Sequence, residues 1–187
     1  MKTVLLAALL ATSPLLVAPT APTAPTDAVH ATRADGGTVD ATCVQLSHGS
    51  FDTAVDPNGG NATQPDTLRM TGTLTCVDAA GVPSVTGTFE HTITAPGEEC
   101  TGDERRDTST TTVHWSDGTV STLRSAATDV TKVQGTASLV SSGSVSKDSA
   151  RFAGDILHSV GTSTGTGCGT QEGEKKVDST NIVRLTH

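Results

Sequence analysis

The residues that could carry chemistry in this chain are serines, histidines, acidic residues and four cysteines. Ser144 and Lys147 have the Ser-x-x-Lys spacing of an acylated serine with a lysine base. That pair works on a helix, where the lysine lies one turn from the serine. Here it falls in SSGSVSKDS, a serine-rich turn sequence, and no Ser-Asp-Asn or Lys-Thr-Gly follows. Gly161-Thr162-Ser163-Thr164-Gly165 matches Gly-x-Ser-x-Gly by letter. A nucleophile elbow needs a strand before the serine and a helix after it, and only more Gly and Thr follow Ser163. His48, His91, His114 and His158 could join a serine–histidine–aspartate triad or a metal site across strands, but no His-x-His or His-Glu pair marks one.

Three further stretches read as surface features. Asp56-Pro57-Asn58-Gly59-Gly60-Asn61 begins like a calcium loop but lacks the later carboxylates and the closing Glu, so it reads as an Asx-rich turn. Glu98, Glu99, Asp103 and Glu104 with Arg105 and Arg106 read as a solvated charge run. The run from Gly161 to Thr170 could cradle an anion with backbone N–H groups. Without a following helix it reads as a flexible loop around Cys168. The expectation is no catalytic residue, no cofactor and no metal site.

The elements that must position these residues are strands. TTTVHWSDGTVSTLRS, residues 110–125, sets two β-branched runs around an Asp-Gly turn, which is a hairpin signal. Val113 and Trp115 share one face, His114 takes the other, and Val120 and Leu123 do not share a face. The single Trp, in a chain with no Tyr and three Phe, is expected in the core. Strand-like segments recur near residues 39–47, 67–77, 85–94, 108–115, 119–126, 131–140, 151–160 and 177–185. Turn signals separate them at fairly regular spacing, and no window has a helical period. This predicts an all-β domain of about eight antiparallel strands, a small up-and-down barrel in preference to a Greek-key sandwich. Gly72, Gly87, Gly135 and Gly154 are expected to ease strand coiling.

Residues 1–18 carry one lysine and then an apolar run broken by Pro14, the pattern of a secretory signal peptide. The Ala-Pro-Thr repeats that follow are too poor in large apolar residues to fold. Residues 1–31 are therefore read as signal peptide and leader, with cleavage near Ala28 or Ala31, and residues 32–187 as one secreted domain. All four cysteines follow the leader, and in an exported chain an even count implies two disulfides. If the first two strands pair across the long polar loop, Cys43 faces Cys76, leaving Cys100 to pair with Cys168. Two of the three possible pairings remain as alternatives. The net charge of -8 disfavours nucleic acid and anionic membranes as partners. A monomer, extracellular or wall-associated and with no membrane contact after signal removal, is expected.

TVHWSDGTVST, with GTLTC at residues 72–76, RFAGD at 151–155 and GTGCG at 165–169, resembles a group of small secreted actinobacterial proteins that share a Trp-x-Asp-Gly-x-x-Ser turn. The resemblance implies a bacterial, extracellular, β-rich protein and no particular activity. In that setting the glycosylation match Asn61-Ala62-Thr63 has no use. The function expected is non-catalytic binding of an unknown protein or small molecule. A hydrolase with a loop-assembled site and a structural surface protein are the alternatives.

Overall fold

A computed structural model describes residues 37–55, 65–96, 99–106 and 108–187. The segment expected to be signal peptide and leader, with its cleavage points, lies outside them. So do the loop from Asp56 to Asn61 and the Asn61-Ala62-Thr63 match.

The strands are β1 (Val39–Val55), β2 (Pro65–Asp78), β3 (Pro83–Pro96), β4 (Gly102–Arg106), β5 (Ser109–Trp115), β6 (Val120–Val133), β7 (Thr136–Val145), β8 (Ile156–Thr166) and β9 (Glu174–Thr186). Every pairing is antiparallel, and all join chain neighbours except that β9 closes on β1, β3 skips β4 to pair with β5, and β4 pairs with β6 on the edge that β5 also uses. The result is an up-and-down barrel of eight strands with β4 as an extra strand. Closure removes the sheet edges that an open sheet would expose. Following hydrogen-bonded partners from Ser47 one way round reaches Ser121 on β6, and the other way reaches Lys132. That stagger along β6 is the shear that makes barrel strands tilt.

Several sequence expectations shift. The charge run contains a strand, β4, where a solvated loop was expected. Residues 131–140 are not one strand: a turn at Gln134 and Gly135, both at positive φ, separates β6 from β7. The segment from Arg151 begins as a turn and becomes strand only at Ile156, and β8 continues through Gly161–Thr166, where a loop was expected. Gly135 and Gly154 therefore serve turns, not strand coiling. Gly72 and Gly87 do lie in strands, and each is covered by an aromatic ring. A Cβ on Gly72 would meet the Phe89 ring at 2.7 Å, and one on Gly87 would meet Trp115 at 2.7 Å.

The closed end of the barrel is the main core. Ala41, Leu74, Val113, Trp115, Val183 and Leu185 are buried there around the Cys43–Cys76 disulfide. The second disulfide is Cys100–Cys168, so both favoured pairings hold. Trp115 is 4% exposed and packs edge-on against Phe152 at 5.7 Å. Its indole N–H donates to Ser121 Oγ at 2.9 Å, and that hydroxyl donates to the Arg151 carbonyl at 2.9 Å. Asp117 accepts from the Thr119 N–H and from Arg151 Nε at 3.0 and 2.9 Å. These hydrogen bonds hold its carboxyl well below the usual carboxylate range, the Thr119 hydroxyl contributing most and Arg151 next. The WSDGTVS and RFAGD segments thus dock on each other: one supplies the hairpin and the other a turn that closes the barrel floor.

Outside, Val44, Ile182, Val160 and Val140 are laterally adjacent and form an exposed apolar row on β1, β9, β8 and β7. The outward residues of β2, β3 and β5 are threonines, Glu90 and His114, among others. A lipid-facing barrel carries an apolar band all the way round, and this row covers only one side. Among the described residues no helix is long and apolar enough to cross a membrane.

Candidate functional site

Alternation along the strands aims a set of polar residues into the barrel, where they line a cavity of about 530 Å³. The closed-end side is apolar, with Leu74, Phe89, Leu123 and Leu157 from the main core. A second apolar cluster, which includes Phe51, Leu68 and Val177, borders it towards the Cys100–Cys168 disulfide. Between them lie His91, Glu104, Arg106, Lys132 and several serines.

A β-bulge decides which β6 residues reach this space. The β6–β7 register shifts between Ser125 and Ala127, so one residue is extra there. Before the shift Ser121, Leu123 and Ser125 face inward; after it Thr128, Val130 and Lys132 do. The close approach across the bulge requires glycine on β7, because a Cβ on Gly143 would lie 2.0 Å from the Arg124 carbonyl oxygen. The same point marks where β6 changes partners, from β5 to β4.

That change leaves an opening in the wall. β3 pairs with β5 only from Gly87 to Glu90, and among the described residues no strand pairs with the rest of β3 on that side. The cavity is lined there by outward-facing residues, Thr92 and Thr94 of β3 and Arg105 of β4. It therefore reaches solvent laterally, between β3 and β4.

Glu104 and Arg106 are two residues apart on β4 and face inward together. Glu104 Oε1 lies 2.6 Å from Arg106 Nη2 and 3.3 Å from Lys132 Nζ. Both cations meet that oxygen as ion pairs, not as aligned hydrogen bonds. This half-buried cluster puts fixed charge of both signs on one wall. His91 Nδ1 is 2.8 Å from Thr111 Oγ1, while its Nε2 is buried with no hydrogen-bond partner among the described residues. Burial, and secondarily the Arg106 charge, lower the His91 pKa. The ring is accordingly neutral at pH 7, and a buried nitrogen without a partner costs about 1–3 kcal/mol.

A depressed imidazole pKa makes stability depend on pH. Below the unfolded value of about 6.5 the unfolded chain takes up a proton that folded His91 refuses. Stability is full above that pH and falls on acidification, by up to about 1.4 kcal/mol per pH unit, until the folded pKa is reached. Urea titrations between pH 7 and 5 are expected to show this slope in the wild type and a shallower one in His91→Asn. Equal slopes would show that burial does not perturb the imidazole.

The other sequence candidates do not assemble. Ser144 is exposed on β7, and Lys147 lies in the following turn. Ser163 lines the cavity from the middle of β8, a strand without an elbow. His48, His114 and His158 are exposed on the outer face, and His48 pairs with Asp178. His91 and Thr111 bring an imidazole to a hydroxyl, but no carboxylate orients the second ring nitrogen, so a triad is not formed. Cys100, Cys168 and Glu174 bring three potential ligand atoms together, yet the sulfurs are bonded to each other and offer no thiolate. Glu104, Arg106 and Lys132 leave no interior signature in the hydropathy of the sequence, because charged side chains at inward positions erase the alternation. The i, i+2 spacing of Glu104 and Arg106 was the available signal. No family model, curated protein or solved structure matches this chain.

Proposed function

We propose that this chain is a secreted, non-catalytic binding protein that encloses a small organic molecule in its barrel, in keeping with its resemblance to exported actinobacterial proteins. The observation that carries this reading is the cavity of about 530 Å³ with a lateral opening and an unpartnered His91 nitrogen inside. Small-molecule sites fall in the range of about 300–1,000 Å³ and combine apolar walls with a few placed polar groups. The ligand class that fits has an apolar body, to cover Phe89, Leu123 and Leu157, and a hydrogen-bonding group for His91 Nε2. The Glu104–Arg106–Lys132 cluster offers charged donors and an acceptor to a polar head. Two disulfides are compatible with an extracellular setting.

Native mass spectrometry of protein taken from its producer's medium tests this. The wild type is expected to carry a reproducible small-molecule increment that is lost on denaturation. Ser159→Trp, which places an indole in the cavity from β8, is expected to arrive bare while keeping its far-UV spectrum. A wild type that is bare under the same conditions, or a Ser159→Trp variant that keeps the increment, would overturn the reading.

A further inference from the structure

At the opposite end from the opening, three residues distant in sequence converge. Asp40 lies at a register shift at the start of β1, between Val39 and Ala41. His187 is fixed beside it by two backbone hydrogen bonds with Thr38, at 2.9 and 3.1 Å. Asp155 ends the tight turn after Phe152 and Gly154, both at positive φ. Its N–H donates to the Phe152 carbonyl at 3.1 Å, and its carbonyl accepts from the Val145 N–H at 2.8 Å. Potential ligand atoms from the three side chains all lie within 4.8 Å of one another, and His187 Nδ1 is 2.7 Å from Asp40 Oδ1.

The Asp155 side chain is what makes this more than a surface cluster. The residue is 3% exposed, and its Oδ2 is buried with no hydrogen-bond partner among the described residues. Beside it stands a second carboxylate, Asp40. Burial first, then the Asp40 charge and a hydrogen bond with Asp40, raise the Asp155 pKa, while His187 acts in the opposite direction. A buried carboxylate facing another is relieved by a shared proton, by a neighbouring imidazolium or by a bound cation.

We propose that Asp40, Asp155 and His187 form a divalent-cation site of the zinc class at the closed end of the barrel, with a further position for water. One imidazole nitrogen with two carboxylate oxygens suits Zn²⁺, which binds N and O donors at about 2.0–2.2 Å. Calcium and magnesium prefer shells made of oxygen alone. Ligands at those bond lengths stand about 3.4 Å apart around a tetrahedral ion. The ion would therefore replace the His187–Asp40 hydrogen bond and draw the Asp155 carboxylate towards it. It would also tie the start of β1, the β7–β8 turn and the end of β9 together, joining the two strands that close the barrel.

The test is calorimetric titration of ZnCl₂ into untagged, chelator-treated full-length mature protein. One equivalent per chain is expected, unaffected by excess Mg²⁺ or Ca²⁺. His187→Ala is expected to weaken binding by more than about tenfold, since loss even of an outer-shell partner costs 10–100-fold. The His187 side chain is 62% exposed, so its removal leaves the barrel core intact. Asp155→Asn is expected to weaken binding likewise. Absence of zinc binding in the wild type, or equal binding by His187→Ala, would overturn the assignment and leave the two carboxylates sharing a proton. This proposal does not depend on the cavity: Ser159→Trp is expected to bind zinc as the wild type does.

Discussion

Replacing Trp115 with alanine is expected to lower the free energy of unfolding by about 3–5 kcal/mol, the usual range for a buried aromatic. The side chain is almost wholly enclosed, and its ring lies over Gly87, which has no side chain of its own to take up the space the indole leaves. The change also removes the edge-on contact with Phe152. Phe152 holds a backbone φ of 58°. A left-handed conformation costs a residue with a Cβ roughly 1–2 kcal/mol, and packing of its ring on Trp115 is what offsets that cost. Ser121 loses one of its hydrogen-bond partners but keeps the Arg151 carbonyl, so the penalty comes mainly from the void and the released turn. Small domains are stable by about 5–15 kcal/mol, so a loss of this size takes a large share of the total. Urea denaturation followed by far-UV circular dichroism measures it, because the variant has no tryptophan fluorescence. A loss below about 1.5 kcal/mol would mean that the closed end repacks freely, contrary to the fit of ring over glycine.

The second large effect is expected from Cys100→Ser with Cys168→Ser. This disulfide spans 68 residues, against 33 for Cys43–Cys76. In the chain-entropy treatment such a loop restricts the unfolded chain by about 4 kcal/mol, only slightly more than the shorter bridge. The two differ more in what they hold. Cys43 and Cys76 face each other on neighbouring, fully paired strands, so the barrel retains that register without the bond. Cys100 lies just before β4, whose only strand partner among the described residues is β6. The bond to Cys168 ties that segment to the β8–β9 connection and borders the cavity. The double serine variant is expected to lose about 4 kcal/mol in urea titrations. Hydrogen exchange is expected to accelerate at β4 before it does at β1 and β2. Uniform acceleration over the barrel would show that the bridge acts on the unfolded chain alone and does not hold the wall beside the opening.

Much of the architecture was legible because a half-buried strand writes its burial into a period of two. Thr, Val and Leu alternate clearly in β2, β3, β5 and β9, and Asp-Gly marks the β5–β6 turn. Chain-neighbour pairing then follows from short connections. The correct disulfides come from the same layout, since a hairpin of β1 and β2 puts Cys43 opposite Cys76. Misplaced boundaries fall where the alternation is weak. Inward Glu104 and Arg106 look like surface residues, and the serines and glycines of β8 look like a loop.

The sequence by itself therefore determined the class of fold, and it favoured the eight-strand barrel and the disulfide pairing that formed, because those depend on local periodicity and on neighbours along the chain. Tertiary structure alone decided the rest. The bulge in β6 turns Lys132 inward, the break between β4 and β5 opens the wall, and closure of β9 on β1 carries His187 to Asp40 and the turn holding Asp155. None of these leaves a spacing in the chain, because barrel closure and shear join positions that are far apart in sequence and related only through the sum of all the strand registers.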